Sequence, residues 1–126
     1  MAPKNIWIIK PGENTNRGVG IQVAKEFNEI RDLIVDSTQS NKRTCIVQKY
    51  IHNPLLIHRR KFDIRTFVLM TSVNSNTKVW IYEEGYLRTS CREYSINNLS
   101  NRMVHLTNDA VQKRCEDYGK FEPGNK

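Results

Sequence analysis

The chain has 126 residues, of which 38% are apolar, and a formal net charge of +7. A chain of this length forms one ordinary domain or two small lobes, and its charge implies an acidic partner such as a nucleoside phosphate, an acidic polypeptide, nucleic acid or an anionic membrane. It has no apolar run near the roughly 20 residues of a membrane helix and no apolar segment of the signal-peptide kind at its start. We therefore expect no membrane association and a cytoplasmic location.

The positive charge is concentrated between Lys42 and Arg65, where Asp63 is the only acidic residue among seven lysines and arginines. A solvated basic face is the alternative to a binding surface at this position. The three cysteines of the chain show no C-x-x-C spacing. Free thiols in a reducing compartment are therefore favoured over a metal site.

The first elements in chain order predict a hairpin, a helix and a strand. Residues 6–10 (IWIIK) are branched and aromatic, which predicts a buried strand that ends at Pro11-Gly12. With a second strand in VGIQVA, we predict a hairpin over 6–24 with a polar tip. Apolar residues at helical spacing predict an amphipathic helix at 25–36, and TCIVQKYI predicts a strand at 44–51.

The next segment predicts an antiparallel meander over residues 62–90. FDIRTFVLMTSV begins with alternation and becomes wholly apolar, which is typical of a strand that runs from a solvated edge into a covered sheet. Turns at NSNT and Gly85 separate it from two further strands, KVWIYEE and YLRTS. After these, MVHLTN predicts a short strand at 103–108 and DAVQKRCEDYG predicts a helix at 109–119.

The order of elements predicts the α+β fold class with two lobes. The smaller lobe, residues 1–55, holds the hairpin, the helix and one strand, and residues 56–126 begin the antiparallel sheet of a larger lobe. Polar residues converge at the boundary between them, and clefts of this kind often hold small molecules.

The stretch WIIKPGENTNRGVG raises the question of phosphate binding, because it combines glycines with a lysine. It is not a P-loop, since Lys10 precedes the glycines and Gly18 is followed by Val19 instead of Lys-Ser/Thr. It is not a dinucleotide fingerprint either, because Val23 stands at the third glycine position. The arrangement instead suits a polar flap over a nucleotide, with lysines at strand ends meeting its phosphates.

Five motifs together resemble the tubulin tyrosine ligase-like enzymes, which have the ATP-grasp fold. They are IWIIKP…RGVGI, VQKYI…PLL, RKFDIRTFVL, EGYLRTS and HLTN, in the family's order and approximate spacing across essentially the whole chain. The resemblance implies that ATP phosphorylates a carboxylate to an acyl phosphate, which an amine then attacks. Family members join tyrosine, glutamate or glycine to tubulin, whose acidic tails suit the basic stretch, and this implies an enzyme of the cytoplasm, cytoskeleton or cilium.

The resemblance assigns the nucleotide contacts of the smaller lobe. Lys10 is similar to the family's phosphate-binding lysine, and Arg17 and Gly18 to the phosphate contacts of the flap. In QKYI, Gln48 with the backbone of Tyr50 and Ile51 resembles the adenine pocket, and Lys49 is assigned to phosphate. The alternatives are a solvated strand-end lysine, an ordinary hairpin tip and an unremarkable edge strand.

Lys61, Asp63 and Arg65 alternate along one predicted strand and so face the same way. The resemblance implies a phosphate contact for Lys61, a ribose-hydroxyl acceptor in Asp63 and a catalytic arginine in Arg65, near the reacting phosphoryl and carboxylate groups. The alternative is an exposed ion pair, worth about 0–1 kcal/mol.

Further motifs supply contacts to the amino acid and to the nucleotide. Arg88 resembles the arginine that binds the carboxylate of the amino-acid substrate, and its alternative role is a cross-strand ion pair with Glu83 or Glu84. Thr107 and Asn108 resemble nucleotide contacts of the larger lobe, beside a His105 that we expect to be structural. Lys126 stands near a substrate-binding lysine of the glutamate-adding members.

The family also implies Mg²⁺, with ligands on strands that we expect beyond residue 126. Glu26 and Asn28 are two apart on the predicted helix and point about 200° apart, so they do not chelate together. The alternative function is therefore a noncatalytic fragment that binds nucleotide or tubulin. RNA binding rests on charge alone, because the aromatic residues are not interleaved on one strand face, and we do not expect a nucleic-acid partner.

Overall fold

The computed structural model describes residues 4–13, 17–39 and 44–120. Within them the chain forms two strands, a helix, six more strands and two short helices. It is thus a mixed α/β structure whose described strand pairs are all antiparallel.

The first sheet holds three strands. Strand β1 (Trp7–Pro11) lies between β2 (Gln22–Ala24) and β3 (Cys45–Lys49), and helix α1 (Phe27–Gln39) packs against β1 and β3. The predicted hairpin, helix and third strand are confirmed, although β2 is shorter than predicted because residues 17–20 form turns.

The two faces of the first sheet carry different side chains because strand residues alternate. Ile8 pairs with Val23 on one neighbour and with Gln48 on the other. With Ile6 and Tyr50, Val23 forms a buried cluster against which Ile8 and the 94–99 segment pack. Ile9 is on the opposite face and is 2% exposed, so both faces of this sheet contribute to burial.

The second sheet contains three strands in the order β4 (Leu56–Ile57), β5 (Arg60–Arg65) and β8 (Tyr86–Thr89). Strands β6 (Val68–Val73) and β7 (Asn76–Ile81) form a separate two-stranded sheet. The β6–β7 turn has positive φ at both Asn74 (48°) and Ser75 (64°), as in two-residue hairpin loops whose twist matches the strands.

The prediction of a three-stranded meander over 62–90 is wrong. Strand β8 pairs with β5 and not with β7, so residues 60–73 and 76–89 form the two arms of one long hairpin. Both arms are interrupted, at 66–67 and at 82–85. Gly85 is not a reversal of the chain; a Cβ there would lie 2.7 Å from the carbonyl oxygen of Arg65, so glycine permits a close passage of backbone.

The apolar run at the end of the first arm was predicted to enter a covered sheet, and this is also wrong. Side chains on both faces of the β6–β7 hairpin are exposed, including Leu69, Met70, Val79 and Trp80. No helix among the described residues combines the length and apolar character that crossing a bilayer requires.

The segment after residue 100 is helical where a strand was predicted. Helix α2 (Arg102–His105) begins at Asn101, whose side-chain oxygen accepts from the backbone N of Met103 at 3.1 Å. This cap overrides the short alternating pattern of MVHL. Helix α3 (Asp109–Gln112) is much shorter than the predicted helix, and turns follow it up to residue 120.

Buried polar side chains connect β8 to these short helices. Gln112 is 2% exposed; its Oε1 accepts from the backbone N of Cys91 at 2.7 Å, and its Nε2 donates to the carbonyl of Leu106. Because the buried amide satisfies backbone groups from two segments, it fixes α2 and α3 beside the second sheet. The predicted division into lobes at residue 55 stays a prediction; it falls between β3 and β4.

Candidate active site

Lys10 lies at the end of β1 on the same face of the first sheet as Ile8. Its Nζ donates to Oε1 of Gln48 at 2.8 Å, across the β1–β3 pair. An amide acceptor holds the ammonium without neutralising it, so the charge of Lys10 stays available for an anion.

Lys61, on β5, lies near Lys10 although the two residues belong to different sheets. Its Nζ donates to the carbonyl oxygen of His105 at 3.0 Å and to the hydroxyl of Tyr50 at 3.3 Å. Burial lowers the pKa of Lys61, the charge of Lys10 lowers it further, and Asp63 opposes both effects. An anion such as a phosphate, placed between the two ammonium groups, would favour the charged form of Lys61.

The predicted placement of Lys49 beside these lysines is wrong. Lys49 pairs with Trp7, and its Nζ lies 4.6 Å from the centroid of the Trp7 ring on the opposite face of the sheet. Gln48 and Lys49 are consecutive on a strand, so only one of them faces the same side as Lys10. Ile51, the last residue of the predicted adenine strand, is 72% exposed.

Asp63 is the centre of a second polar cluster. It pairs directly with Arg88 on β8, whose Nε donates to Oδ1 at 2.8 Å, while the Thr107 hydroxyl donates to Oδ2. The hydrogen bond that Arg88 donates to Asp63 is the largest cause of the raised pKa of Arg88. The cross-strand partner of Arg88 is therefore Asp63 and not the glutamates weighed from the sequence.

A cavity of about 530 Å³ lies beside this cluster. The predicted site residues that line it are Arg17, Arg65, Arg88 and Asn108. Asp109, Ala110 and Lys113 complete the lining. Three guanidinium groups around one space suit carboxylate or phosphate oxygens, which planar donors bind well.

Asp109 is the acidic group of this cavity and is held ionised. Nζ of Lys113 lies 2.8 Å from its Oδ2, and the hydroxyl of Tyr118 donates to its Oδ1. These hydrogen bonds lower the pKa of Asp109. Asp109 and Lys113 are four residues apart, and in a helix this spacing indicates an ion pair from the sequence alone.

The turn at Gly18 packs against the short helices. Gly18 has φ +77°, and a Cβ there would lie 2.9 Å from Oδ1 of Asn108 and 3.0 Å from Cγ2 of Val111. Nη2 of Arg102 also donates to the carbonyl of Gly18. This contact, which the sequence did not reveal, brings Arg17 to the cavity.

Most of the predicted residues fall into three groups, and Lys49 and Ile51 lie outside them. The first group surrounds Lys10 and Lys61, the second surrounds Asp63, and the third lines the cavity; Arg88 belongs to the second and the third. Lys126 lies outside the described residues. Within the described part of the chain, no three His, Cys, Asp or Glu side chains come together to hold a metal ion, and the expected Mg²⁺ site stays a prediction.

The fold thus combines antiparallel sheets and short helices with a pair of lysines and an arginine-lined cavity. Across residues 1–126 the chain matches the model described as the tubulin-tyrosine ligase family. The chain belongs to the tubulin-tyrosine ligase family.

Several curated relatives align with most of the chain. Tubulin glycylase 3D of Tetrahymena thermophila is 46% identical over 118 residues, which are 94% of this chain and 11% of that protein. Tubulin glycylase 3B of Drosophila melanogaster is 44% identical over 90% of this chain and 14% of its own length. Tubulin monoglycylase TTLL3 of Homo sapiens is 42% identical, with the same coverage. The chain thus spans about a seventh or less of these relatives.

Proposed function

We propose that the chain forms the ATP and amino-acid sites of an ATP-grasp ligase that joins glycine to tubulin. One observation carries the proposal: Lys10 and Lys61 approach each other from two different sheets, and the strand that carries Lys61 also carries Arg65, which lines the arginine-rich cavity. The names of the relatives favour glycine over glutamate or tyrosine. Their substrate implies microtubules of the cytoskeleton or cilium as partners.

ATP fits the paired lysines because its phosphates supply the anionic oxygens that two neighbouring ammonium groups favour. In the proposed complex, Lys10 and Lys61 bind the phosphates, and Gln48 with the backbone of Tyr50 and Ile51 borders the adenine. The flap residues Arg17 and Gly18 lie over the nucleotide. We further propose that Asp63 accepts from a ribose hydroxyl through its remaining lone pairs, and that Thr107 and Asn108 contact the nucleotide.

The proposed reaction has two steps. A carboxylate oxygen of tubulin attacks the terminal phosphorus of ATP, the bond to the bridging oxygen breaks, and ADP leaves. The amine of glycine then attacks the acyl carbon, loses a proton and expels phosphate, which forms an amide. Arg65 stabilises charge on the transferring oxygens, and Arg88 holds the carboxylate of glycine so that its amine is oriented for attack.

Mass spectrometry of tubulin tests the proposal directly. A full-length form of the protein is incubated with MgATP, microtubules and either glycine, glutamate or tyrosine, with Arg65→Met as the inactive control. We expect the mass of glycine residues to be added to tubulin, only with ATP and not with Arg65→Met. Addition of glutamate or tyrosine instead contradicts the glycine assignment. ATP binding without any addition contradicts the ligase function and supports the noncatalytic alternative.

A further inference from the structure

Tyr50 and His105 form a buried hydrogen-bonded series that ends on Lys61. The hydroxyl of Tyr50 lies 2.9 Å from Nδ1 of His105, and Nε2 of His105 lies 2.8 Å from the carbonyl oxygen of Asn98. Tyr50 and His105 are 3% and 1% exposed. Polar groups buried this completely need defined partners, so the direction of each hydrogen bond is constrained.

The Asn98 carbonyl fixes the tautomer of the ring. A carbonyl oxygen only accepts, so Nε2 of His105 carries the hydrogen, and in the neutral ring Nδ1 is an acceptor. The Tyr50 hydroxyl therefore donates to Nδ1. Its oxygen lone pairs are left for the ammonium of Lys61, which donates to them at 3.3 Å.

Two residues at the end of β3 accept hydrogen bonds from both lysines of the proposed phosphate site. Gln48 and Tyr50 are two residues apart, and on the extended chain at the end of β3 their side chains lie on one face. Gln48 accepts from Lys10 on β1, and Tyr50 accepts from Lys61 on β5. The ring of Tyr50 also lies 4.8 Å from Nζ of Lys61. Tyr50 thus links the core of the first sheet to a cation of the second.

Of the three N–H donors of the Lys61 ammonium, two are used in its described contacts with His105 and Tyr50. Both acceptors are groups of the protein, the Tyr50 hydroxyl and the His105 carbonyl. The remaining donor is the one that a ligand oxygen receives, and its direction depends on where Tyr50 and the His105 carbonyl stand.

We propose that Tyr50 and His105 are positioning residues: the series from Asn98 through His105 and Tyr50 orients the Lys61 ammonium for phosphate, and protonation of His105 disrupts it. This inference rests on the proposed ATP-binding function. A protonated ring places a hydrogen on Nδ1, facing the Tyr50 oxygen. Tyr50 then loses its acceptor, and its hydrogen is forced towards Lys61, which has only donors.

The surroundings keep the series intact at neutral pH. Burial lowers the pKa of His105, the backbone contact with Asn98 opposes this, and the charge of Lys61 lowers it further. Burial also raises the pKa of Tyr50. Among the described residues, three further titratable or charged groups lie near the ring. They are Tyr94, whose ring is edge-on at 5.9 Å and whose side chain also raises the pKa of Tyr50, Arg102 on the same helix, and Glu29, which lines a cavity together with His105.

Tyr50→Phe tests the hydroxyl while keeping the ring in the core. Tyr82→Phe is the control, because Tyr82 is exposed and its ring lies against Phe67. We expect Tyr50→Phe to weaken ATP binding about tenfold, measured by calorimetry, and Tyr82→Phe to change it less than about twofold. Equal affinities for the two variants overturn the proposal.

The pH dependence of ATP affinity separates positioning from packing. His105→Asn retains an acceptor near the Nδ1 position and does not titrate, so we expect it to bind ATP at pH 7.5 nearly as well as the unaltered protein. As the pH falls through the lowered pKa of His105, the unaltered protein should lose affinity more steeply than the variant. The terminal phosphate of ATP titrates equally in both. Parallel profiles contradict the proposal.

Nitrogen NMR of the His105 ring tests the series without nucleotide. We expect a hydrogen on Nε2 and none on Nδ1, and a pKa that rises in Lys61→Met. Failure of the unaltered protein to bind ATP, with this NMR pattern present, defeats the proposed function and leaves the hydrogen-bonded series standing. A hydrogen on Nδ1 at neutral pH defeats the series itself.

Discussion

At the scale of single residues, the ion pair with Asp63 determines which atoms of Arg88 can contact a ligand. Its Nε is taken by Asp63, and both side chains are partly buried, with 22% and 32% exposed. The two terminal nitrogens of the guanidinium are left for the cavity that Arg88 lines with Arg17 and Arg65. A planar group held at one end and presented at the other suits bidentate binding of a carboxylate.

Arg88→Lys keeps the charge and removes the planar fork. We expect the KM for glycine to rise about tenfold while the KM for ATP changes little, because the lysine binds a carboxylate as a point charge. Steady-state kinetics of glycine transfer to tubulin measures both constants. Arg92→Lys is the control, because Arg92 pairs with Asp117 and does not line the cavity. A change in the KM for ATP alone is the contrary result.

His105 gives the free energy of unfolding a specific pH dependence. Above about pH 6.5 the ring is neutral in both the folded and the unfolded chain. Between that pH and the lowered folded pKa, the unfolded chain binds the proton more readily, so the free energy of unfolding falls as the pH falls. Urea titrations should show this decrease, smaller in His105→Asn and unaltered in His58→Asn, an exposed turn residue. A decrease of equal size in His105→Asn contradicts the assignment.

The motifs predicted many of the residues that gather at the site, and strand alternation explains the error at Lys49. The motif places Gln48 and Lys49 side by side, but consecutive strand residues face opposite sides. Arg102 was not predicted, because its contact with Gly18 joins residues 84 apart and leaves no local pattern.

At the scale of elements, the turn that precedes β2 lies against α3. Gly18 is buried there, and its positive φ places Arg17 beside the cavity. Because glycine alone adopts this conformation without strain, the turn fits against Asn108 and Val111 only without a Cβ.

Gly18→Ala and Gly20→Ala separate backbone strain from this contact. Both glycines have positive φ, +77° and +73°, so each alanine should lower the free energy of unfolding by about 1–2 kcal/mol. Only the Gly18 Cβ meets the short helices, whereas the Gly20 Cβ meets the ring of Pro11. We therefore expect only Gly18→Ala to weaken ATP binding as well. Urea unfolding and calorimetry provide the two measurements, and equal losses of ATP affinity would contradict the flap assignment.

Local periodicity predicted the elements that depend on neighbouring residues, namely β1, α1 and β3. It did not predict that β8 pairs with β5, because that choice depends on backbone groups more than 20 residues apart along the chain. Residues 66–67 interrupt one arm of the hairpin opposite the longer segment 82–85 of the other arm. The β6–β7 pair therefore has a different register from the β5–β8 pair.

At the scale of the whole molecule, a buried contact joins the two parts of the chain that the sequence predicted as lobes, in addition to the packing of the Gly18 turn against the short helices. The cluster of Ile6, Val23 and Tyr50 packs against the 94–99 segment, and Tyr50 bonds to both His105 and Lys61. The net charge predicted an acidic ligand but not its position. The position follows from the tertiary approach of Lys10 and Lys61, which periodicity does not encode.

Calorimetric titration of MgATP into four forms of the protein tests the central claim most directly. The forms are the unaltered chain, Lys10→Met, Lys61→Met and Lys49→Met. We predict that the Lys10 and Lys61 variants each lose about tenfold or more in affinity, and that Lys49→Met stays within about twofold because its ammonium lies over Trp7 on the other face. Equal losses in all three variants, or none in the first two, would contradict the claim that these two lysines bind the phosphates.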